Sequence, residues 1–550
     1  MSCNHVSSSP SAVHSHKPST EPEFLAPGRA HEDARRIQQQ FSRRSSTIIE
    51  DVELIRAVPA RTVMQGFAKH FKSSETSAED HKLATRVQNF DFFLSHSWRA
   101  SRLQKWATLM ITFRIHGFIL GAFLMSTAVF VLSVAGILPV MSRVVRFQDV
   151  PEAVVPYSMW CFSCCMPGAL LGVWIQDLLE SSQCTRSPQV FLDKLSISQH
   201  DEVLKARGIE SIGLFIRRSR RVIVLWSPEY FSRLWCCFEI AALLKTVEDD
   251  GTNGRSSLDK RLVMRPVALG QVALAYTVLV YLATFLSNAS YSFDIVSSYG
   301  NVVYVVIFTP CVILFGLGQS FLRHYLLSRR ALNMQLEQFS FEQAECFSER
   351  DRTIIKVLLD LWFSDKAMHG DSVSYFNSMV RGRVKMLCQR ALGGLLPLWP
   401  VFPACTMFCC GSLDLLAARM AIPDEHFAAN GTLAGSTRAI DSMSYAVYLL
   451  SQSWLMTPAS LAFVLVLSGF GGRVFDSQSI PIFFKIVLGG LSAIPGLLPY
   501  FTIHYVFSYL KLHKSLTAAA SLVVALIWFL PFFAPRGRRQ VRSKIDAQDV

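Results

Sequence analysis

The sequence predicts an α-helical polytopic membrane protein of about eight spans that carries a small, incomplete α/β domain with a parallel sheet on its cytosolic side. The 550 residues are 51% hydrophobic but only 17% charged, whereas ordinary soluble domains carry about 25% charged residues. Long stretches also contain no Asp, Glu, Lys or Arg, which indicates membrane helices. Short apolar runs that alternate with helical patterns indicate the parallel sheet.

Eight uncharged stretches can each supply the roughly 20 apolar residues that cross a bilayer as a helix. A soluble helical core is the alternative, but buried core helices seldom lack charge over such lengths. The seventh stretch contains Pro495 and Pro499, which predict a kink or a re-entrant piece. The stretches are 115–142, Ala153–Gln176, Pro266–Phe293, Ile295–Leu322, Ala391–Leu413, Ser442–Gly472, Ile486–Leu510 and Ser515–Pro535.

The loops predict the orientation of the chain. An even number of spans places both termini on one side, and the basic segments Arg381–Lys385 and Arg536–Lys544 adjoin span ends on that side. Basic residues accumulate on the cytosolic side of a membrane. The glycosylation sequons at Asn288 and Asn430 fall on the opposite side. We therefore expect an integral, multi-pass membrane protein with both termini in the cytosol. No signal peptide is visible, and the sequence does not indicate which membrane holds the protein.

The predicted domain organisation follows from these spans. The first 80 residues are rich in Ser, Pro and His and are predicted to be mostly disordered, although Ile49–Phe71 is compatible with a short amphipathic helix. Asp351 and Arg352 are predicted to lie on a solvated helix face. In chain order we expect a disordered tail at 1–80, a split α/β domain at 89–114 and 188–265, an inserted membrane hairpin at 115–142 and 153–176, spans three and four at 266–322, a cytosolic helical segment at 323–390, spans five to eight at 391–535 and a basic tail at 536–550.

Three apolar runs predict neighbouring parallel strands. Asn89–Trp98 ends in Ser-His-Ser, Gln189–Lys194 contains Asp193, and Val222–Trp226 is entirely apolar. Helical patterns between them predict parallel pairing with both sheet faces covered. Two inserted spans return the chain to the side that it left, so the first strand can pair with the later ones. A fourth short strand is predicted within Arg261–Ala268.

The order of these landmarks resembles that of the Toll/interleukin-1 receptor (TIR) domain. The matching residues are DFFLSHSW, then VFLDK, then a strand that ends in Ser227 and a helix with YFSRLWCCFEIA from Tyr230. The resemblance covers 89–114 and 188 to about 245, less than a third of the chain. Two departures are evident, because membrane spans follow the first helix and the family's last strands and helices are largely absent.

Some TIR domains cleave NAD at its nicotinamide–ribose bond, and the resemblance implies that Glu239 is the catalytic carboxylate. Residues four apart share a helix face, so Trp235 would lie beside Glu239, and lost solvation would raise its pKa. A carboxylate that faces the ribose can stabilise an oxocarbenium-like cation as nicotinamide leaves. By resemblance, the strand-end loop with Ser97 and Trp98 and the loop after Asp193 would frame NAD. No cofactor is predicted with certainty.

Many TIR domains associate with one another and are not enzymes, and fold alone does not decide between these functions. The predicted function is therefore that of a membrane-anchored signalling or scaffold protein that acts through self-association or through other TIR proteins. In a signalling protein, Trp235 would be a packing residue and Glu239 a structural or surface charge. The alternative is NAD hydrolysis, in which Glu239 is catalytic. A transporter or channel formed by the spans is a further alternative, which the scarcity of intramembrane charge disfavours.

The basic residues and the cysteines indicate which lipid, nucleic-acid and metal partners to expect. Arg217, Arg218, Arg220 and Arg221 form a basic cluster close to the predicted bilayer, where they contact anionic lipid or are simply solvated. The net charge of +13 is explained by cytosolic loops, and no motif indicates nucleic-acid binding. The CxxC pair that begins at Cys161 lies in an apolar run without a second ligand pair, so packing rather than metal binding is predicted.

Overall fold

The computed structural model describes the chain in several stretches separated by gaps. Predicted spans four and six to eight lie almost entirely outside the described residues, as do the basic tail, the sequon at Asn430 and most of the predicted N-terminal tail. The described stretches are 54–72, 78–147, 150–198, 211–249, 260–292, 322–346, 349–363, 371–392 and 402–423, with a few single positions besides.

Strands from both sides of the predicted membrane hairpin build one sheet. The described strands are β1 (Arg56–Pro59), β2 (Thr85–Arg86), β3 (Phe90–His96), β4 (Ser142–Phe147), β5 (Val150–Tyr157), β6 (Gln189–Phe191), β7 (Ser219–Trp226) and β8 (Leu262–Pro266). The large sheet has the order β2-β1-β6-β3-β7-β8, and β4 and β5 form a separate antiparallel hairpin. β6, β3, β7 and β8 are parallel, whereas β1 is antiparallel to both of its neighbours.

Helices cover both faces of this sheet. The described helices are α1 (Ala60–Ala68), α2 (Ala78–Lys82), α3 (Arg102–Val134), α4 (Trp160–Ser181), α5 (Asp193–Ser196), α6 (Ile212–Arg217), α7 (Leu234–Asp249), α8 (Val267–Ser292), α9 (322–337), α10 (Glu349–Phe363), α11 (Ser372–Met379), α12 (Lys385–Leu392) and α13 (Phe402–Met420). α1, the first part of α3 and the start of α8 pack on one face. α6, α7 and α9 to α12 pack on the other.

The apolar runs that predict strands form the centre of the sheet. β3 pairs in parallel with β6 on one side and with β7 on the other, where Phe93 lies opposite Val222. All residues of β7 from Val222 to Trp226 are buried, as expected for a parallel strand covered on both faces. Each such side chain stabilises the fold by about 1.5 to 3 kcal/mol. The predicted fourth strand is present as β8, parallel to β7.

One strand and one helix come from the region that the sequence predicts to be disordered. β1 pairs with β6, where Val58 lies opposite Val190, and both side chains are fully buried. α1 follows directly and packs in the same core. The disorder predicted through residue 80 is therefore corrected for 54–72. The physical reason is that four strand residues carry too little periodicity to be recognised, and their burial depends on a partner far along the chain.

Two helices are long and apolar enough to cross a bilayer, judged by length and composition. α3 has 33 residues and is about 50 Å long, and α4 has 22 residues. Large apolar side chains on their surfaces are exposed, among them Leu120, Leu124, Leu170 and Trp174. Among the described residues these two helices alone meet the criterion, so the predicted count of eight spans is not supported.

The other predicted spans within the described residues differ in their limits. Predicted span two begins as strand β5 and becomes helical only at Trp160. Predicted span three corresponds to α8, whose apolar part at Val267–Leu282 is shorter than a span. For predicted span five, the described helix α13 starts at Phe402 and includes the buried Asp414. These differences arise because an uncharged run reports composition and does not set where a helix begins or ends.

α3 runs antiparallel to β3 and then continues past the sheet. Near its start, the Lys105 ammonium lies 5.6 Å from the centre of the Trp98 ring, beyond the carboxyl end of β3. Eight residues later, the Phe113 ring lies 5.4 Å from the ring of Phe92 near the start of that strand. The apolar part of α3 therefore projects from the amino ends of the parallel strands, called the amino edge here. The opposite side, called the carboxyl edge, points away from the α3–α4 hairpin.

Glycines allow α3 and α4 to pack closely. A Cβ atom on Gly172 would lie 2.1 Å from the Gly117 carbonyl oxygen, and one on Gly121 would lie 2.3 Å from the Gly168 carbonyl oxygen. Side chains cannot occupy such distances, so the small residues set the helix separation. Next to the amino edge, Arg114 of α3 forms an ion pair with Glu180 of α4, which holds the base of the hairpin together.

Candidate functional site

The strand order predicts a crevice at the carboxyl edge. The parallel strands follow one another along the chain as β3, β6, β7 and β8. In the sheet they lie side by side in the order β6-β3-β7-β8. The chain leaves β3 toward β6 on one side and leaves the neighbouring β7 toward β8 on the other, so the order reverses between β3 and β7. In doubly wound α/β sheets, ligands bind outside the carboxyl ends of the strands where the order reverses in this way. The residues just after β3, β6 and β7 are accordingly the candidates for a site.

Glu239 lies on α7 at this crevice and contacts the end of β3. The Ser95 hydroxyl donates a hydrogen bond to the Glu239 carboxyl group and also contacts the Tyr230 hydroxyl. Ser95 and Tyr230 are fully buried, whereas Glu239 retains partial exposure to solvent. Burial raises the pKa of Glu239 to about 8, and the charge of Asp193 acts in the same direction, while the bond from Ser95 opposes both. The carboxyl group is therefore mainly protonated at neutral pH.

Asp193 follows β6 and is the centre of a second group of side chains. The Trp98 Nε1 donates to Asp193 Oδ2 at 3.2 Å, and His96 Nε2 lies 3.6 Å from Asp193 Oδ1. Burial alone would raise the pKa of Asp193, but the contacts with His96, Lys194 and Trp98 outweigh it and hold the pKa below its ordinary value. Burial lowers the pKa of His96, so its ring is neutral at pH 7.

The surroundings push the pKa values of Glu239 and Asp193 in opposite directions. Asp193 is ionised at neutral pH, and Glu239 holds its proton in the same crevice. Pairs of carboxyl groups whose pKa values diverge are typical of sites that divide acid and base roles between them. Such perturbation next to a cleft also marks functional sites in general. The carboxyl edge therefore holds the chemistry of a candidate active site.

Trp235 and Ser97 have contacts that the sequence does not indicate. The Trp235 Nε1 donates to Asp351 Oδ2 at 3.1 Å, and its ring packs edge-on against Phe238 with 5.4 Å between ring centres. Ser97 is buried, and its hydroxyl accepts a hydrogen bond from the Arg99 backbone N–H at 3.4 Å. Trp235 thus joins α7 to α10, and Ser97 shapes the turn that carries Trp98.

Asp351 and Arg352 correct the prediction of a solvated helix face. Asp351 accepts the bond from Trp235, and the Arg352 guanidinium donates to the carbonyl oxygens of Phe341 at 2.9 Å and Ala344 at 2.8 Å. Both side chains therefore tie α10 to its neighbours. The described residues between 323 and 390 are a structural part of the α/β unit, because their apolar side chains share one core with α7.

The segment before α10 forms one rim of the crevice. The Glu345 backbone N–H donates to the Ser232 carbonyl oxygen at 2.6 Å, and the Leu234 N–H donates to the Glu345 carbonyl oxygen at 2.9 Å. Across the rim, the Arg99 guanidinium lies 2.8 Å from the Glu345 carboxylate. The turn after β3 and the start of α7 are therefore connected through a segment that is more than 100 positions away in the sequence.

Several residues of the crevice carry no prediction from the sequence. The buried Lys105 ammonium lies 4.9 Å from the centre of the Phe71 ring, with no hydrogen-bond partner among the described residues. The buried Cys236 Sγ lies 3.7 Å from the His96 carbonyl oxygen, and burial raises the pKa of this thiol well above its ordinary value. The signal that could have located Tyr230 is its place between the end of an apolar strand and the next helix.

Of the two predicted glycosylation positions, Asn430 lies outside the described residues. Asn288 falls within α8 rather than in a loop. In the described part of the chain, no group of three or more His, Cys, Asp or Glu side chains is placed to hold a metal ion. Comparison of the chain with protein-family models, with curated proteins and with solved structures finds no match.

Proposed function

We propose that this chain is a membrane-anchored hydrolase of the TIR type that cleaves the nicotinamide–ribose bond of NAD, with Glu239 as the catalytic carboxylate. The observation that carries the proposal is the position of the Glu239 carboxyl group. It lies where the strand order reverses, bonded to Ser95 at the end of the neighbouring strand. The TIR resemblance, which comes from the order of sequence motifs, implies the same catalytic residue as the position of the carboxyl group in the sheet.

The proposed reaction breaks the bond between ribose C1′ and the nicotinamide nitrogen, and the bonding electrons leave with nicotinamide. The ribose carbon becomes oxocarbenium-like, and the Glu239 carboxylate stabilises this positive charge. Water then adds to the carbon and releases a proton, so that the products are nicotinamide, ADP-ribose and one proton. A carboxylate in a partly desolvated crevice stabilises such charge more strongly than one in water.

The raised pKa of Glu239 makes the reaction dependent on pH. Glu239 must be ionised to act, and its pKa of about 8 keeps it mainly protonated in the free protein at pH 7. The positive nicotinamide ring of bound NAD favours the ionised form. We therefore expect kcat/KM to rise about tenfold per pH unit below about pH 8 and to level off above it, since this ratio reports groups of the free enzyme.

The proposed location is an integral membrane with the α/β unit on the cytosolic side. The support is the length and composition of α3 and α4, together with their exposed apolar side chains. The projection of α3 from the amino edge would direct the crevice away from the bilayer. Such an arrangement leaves the carboxyl edge open to a water-soluble dinucleotide.

The test is nicotinamide release from NAD by the purified full-length protein in detergent, followed by chromatography. We expect release by the wild type and loss of at least about 100-fold in Glu239→Gln, a size typical of removing a group that acts on the transition state. Glu239→Gln can keep the bond from Ser95, so its fold is retained. The matched control is Glu229→Gln in the same β7–α7 connection, which should keep full activity. Full activity of Glu239→Ala would refute the assignment.

Association with other TIR domains is the second candidate function, and one observation favours it. Ser95 and Tyr230 are fully buried and bonded within the protein, and the Trp235 indole is engaged by Asp351. Such satisfied contacts also suit a structural role. In that case the wild type releases no nicotinamide, and chemical cross-linking in detergent captures dimers through the carboxyl edge. Arg99→Glu, at its exposed rim, should then weaken the cross-linked species.

A further inference from the structure

A cavity of about 270 Å³ lies at the amino edge, away from the crevice. Its lining includes three arginines and a single aspartate. The lining residues are Asp91, Phe92, Arg186, Pro188, Arg220 and Arg221. We propose that this cavity binds the phosphate headgroup of an anionic lipid from the membrane that α3 and α4 cross. The inference rests on the membrane anchor of the proposed function but is independent of catalysis.

The charges of the cavity leave an excess of positive groups. Asp91 accepts bonds from the Gln189 backbone N–H at 2.8 Å and from Arg186 Nη2 at 3.1 Å, so its carboxylate is already engaged. Arg220 and Arg221 are exposed at the start of β7. Guanidinium groups bind phosphate through paired, charge-assisted hydrogen bonds, which makes them the natural complement of a phosphate group.

The position of the cavity points to a lipid rather than to a free ion. Arg186 lies five residues after the end of α4 at Ser181, and Arg221 is in register with Phe92, which contacts α3 through Phe113. The cavity is therefore next to the place where both apolar helices leave the sheet. Basic pockets at the cytosolic ends of membrane helices are the sites where anionic headgroups bind.

The arginines of the cavity are open, and this also favours a lipid. The Arg186 side chain is 73% exposed, so an isolated phosphate ion would exchange freely with water. A lipid headgroup is held at the bilayer surface by its acyl chains, which keeps its local concentration high next to the cavity. The three arginines thus orient the α/β unit against the membrane, while the acyl chains hold the headgroup next to the cavity.

The test measures binding of dioctanoyl phosphatidic acid to the full-length protein in detergent by native mass spectrometry. Dioctanoyl phosphatidylcholine and inorganic phosphate are the comparison ligands. We expect phosphatidic acid to bind most tightly and Arg220→Gln/Arg221→Gln to weaken it about 30-fold, with about fivefold for Arg186→Gln alone. Lys82→Gln is the control, because Lys82 lies on α2, which contacts α5 beyond the carboxyl end of β6 through His81 and Leu195.

Four results would overturn the proposal. One is equal affinity of the wild type and the double variant for phosphatidic acid. Another is binding of inorganic phosphate as tight as that of the lipid, which would assign the cavity to a free ion. Should the double variant fail to fold, unchanged binding in Arg186→Gln decides against the site, because that side chain is exposed and its loss does not disturb the core. Recovery of the expressed protein in the soluble fraction without detergent would show that α3 and α4 do not anchor it in a membrane, and the proposed lipid site would then be excluded as well.

Discussion

Glu239→Gln should make the protein more stable at alkaline pH, because the wild-type carboxyl group opposes folding once it ionises. The pKa of Glu239 is raised from an ordinary value of 4.5 to about 8 by burial. The folded state therefore binds this proton more tightly than the unfolded state. Between these pH values the free energy of unfolding falls with rising pH, by up to about 1.4 kcal/mol per pH unit. Above pH 8 the loss reaches about 5 kcal/mol at most.

Glutamine has the shape of the protonated side chain and does not titrate. The variant and the wild type should therefore be equally stable near pH 4, where both carry a neutral group at this position. Their difference should grow from about pH 5 and level off above pH 8, in favour of the variant. The assay is thermal or denaturant unfolding of the full-length protein in detergent, monitored by tryptophan fluorescence at closely spaced pH values. Partial exposure of Glu239 reduces the size of the effect and leaves its sign unchanged.

The control for this experiment is Glu229→Gln, which removes a carboxyl group ten residues earlier in the same connection. It reports what the loss of a carboxyl group elsewhere in this connection does to stability, so only the additional effect of Glu239→Gln is assigned to position 239. A wild type and a Glu239→Gln variant with parallel stability curves from pH 4 to pH 9 would refute the reasoning, because the carboxyl group would then have the same pKa in the folded and unfolded states. A variant that is stabilised and inactive would indicate that the carboxylate is kept for function at a cost in stability.

Two further predictions concern packing and the exposed rim. Gly172→Leu should lower the stability of the protein by more than the about 1 to 3 kcal/mol of ordinary overpacking, because its Cβ would meet the Gly117 backbone oxygen at 2.1 Å. Gly382→Ala is the control, because a Cβ atom at this position meets nothing within 4 Å. Equal midpoints of thermal unfolding for Gly172→Leu and the wild type in detergent would contradict the prediction. Arg99→Ala should cost less than about 1 kcal/mol in denaturant unfolding, since Arg99 and Glu345 are 54% and 46% exposed. A loss above about 2 kcal/mol would indicate that this pair closes the crevice.

The parallel strands and the position of the crevice follow from local sequence, whereas the number of spans does not. A run such as Val222–Trp226 is apolar at every position, and this pattern predicts a buried parallel strand without any knowledge of its partners. The carboxyl ends of parallel strands share one edge, so the polar residues that follow them must come together. An uncharged run at Ala153–Gln176 is shared between β5 and α4, because local composition does not specify where one element ends.

The sequence by itself determined the alternation of strands and helices, the long apolar helices after the first strand, and the place of Glu239 on a helix that follows an apolar strand. Only the tertiary structure decided which groups this carboxyl meets. Ser95 is 144 positions away from Glu239, and Asp351 is 116 positions away from Trp235. Hydrophobic periodicity acts over a few turns of chain, so it predicts elements; hydrogen-bond partners and pKa values depend on which distant segments the sheet and its covering helices bring together.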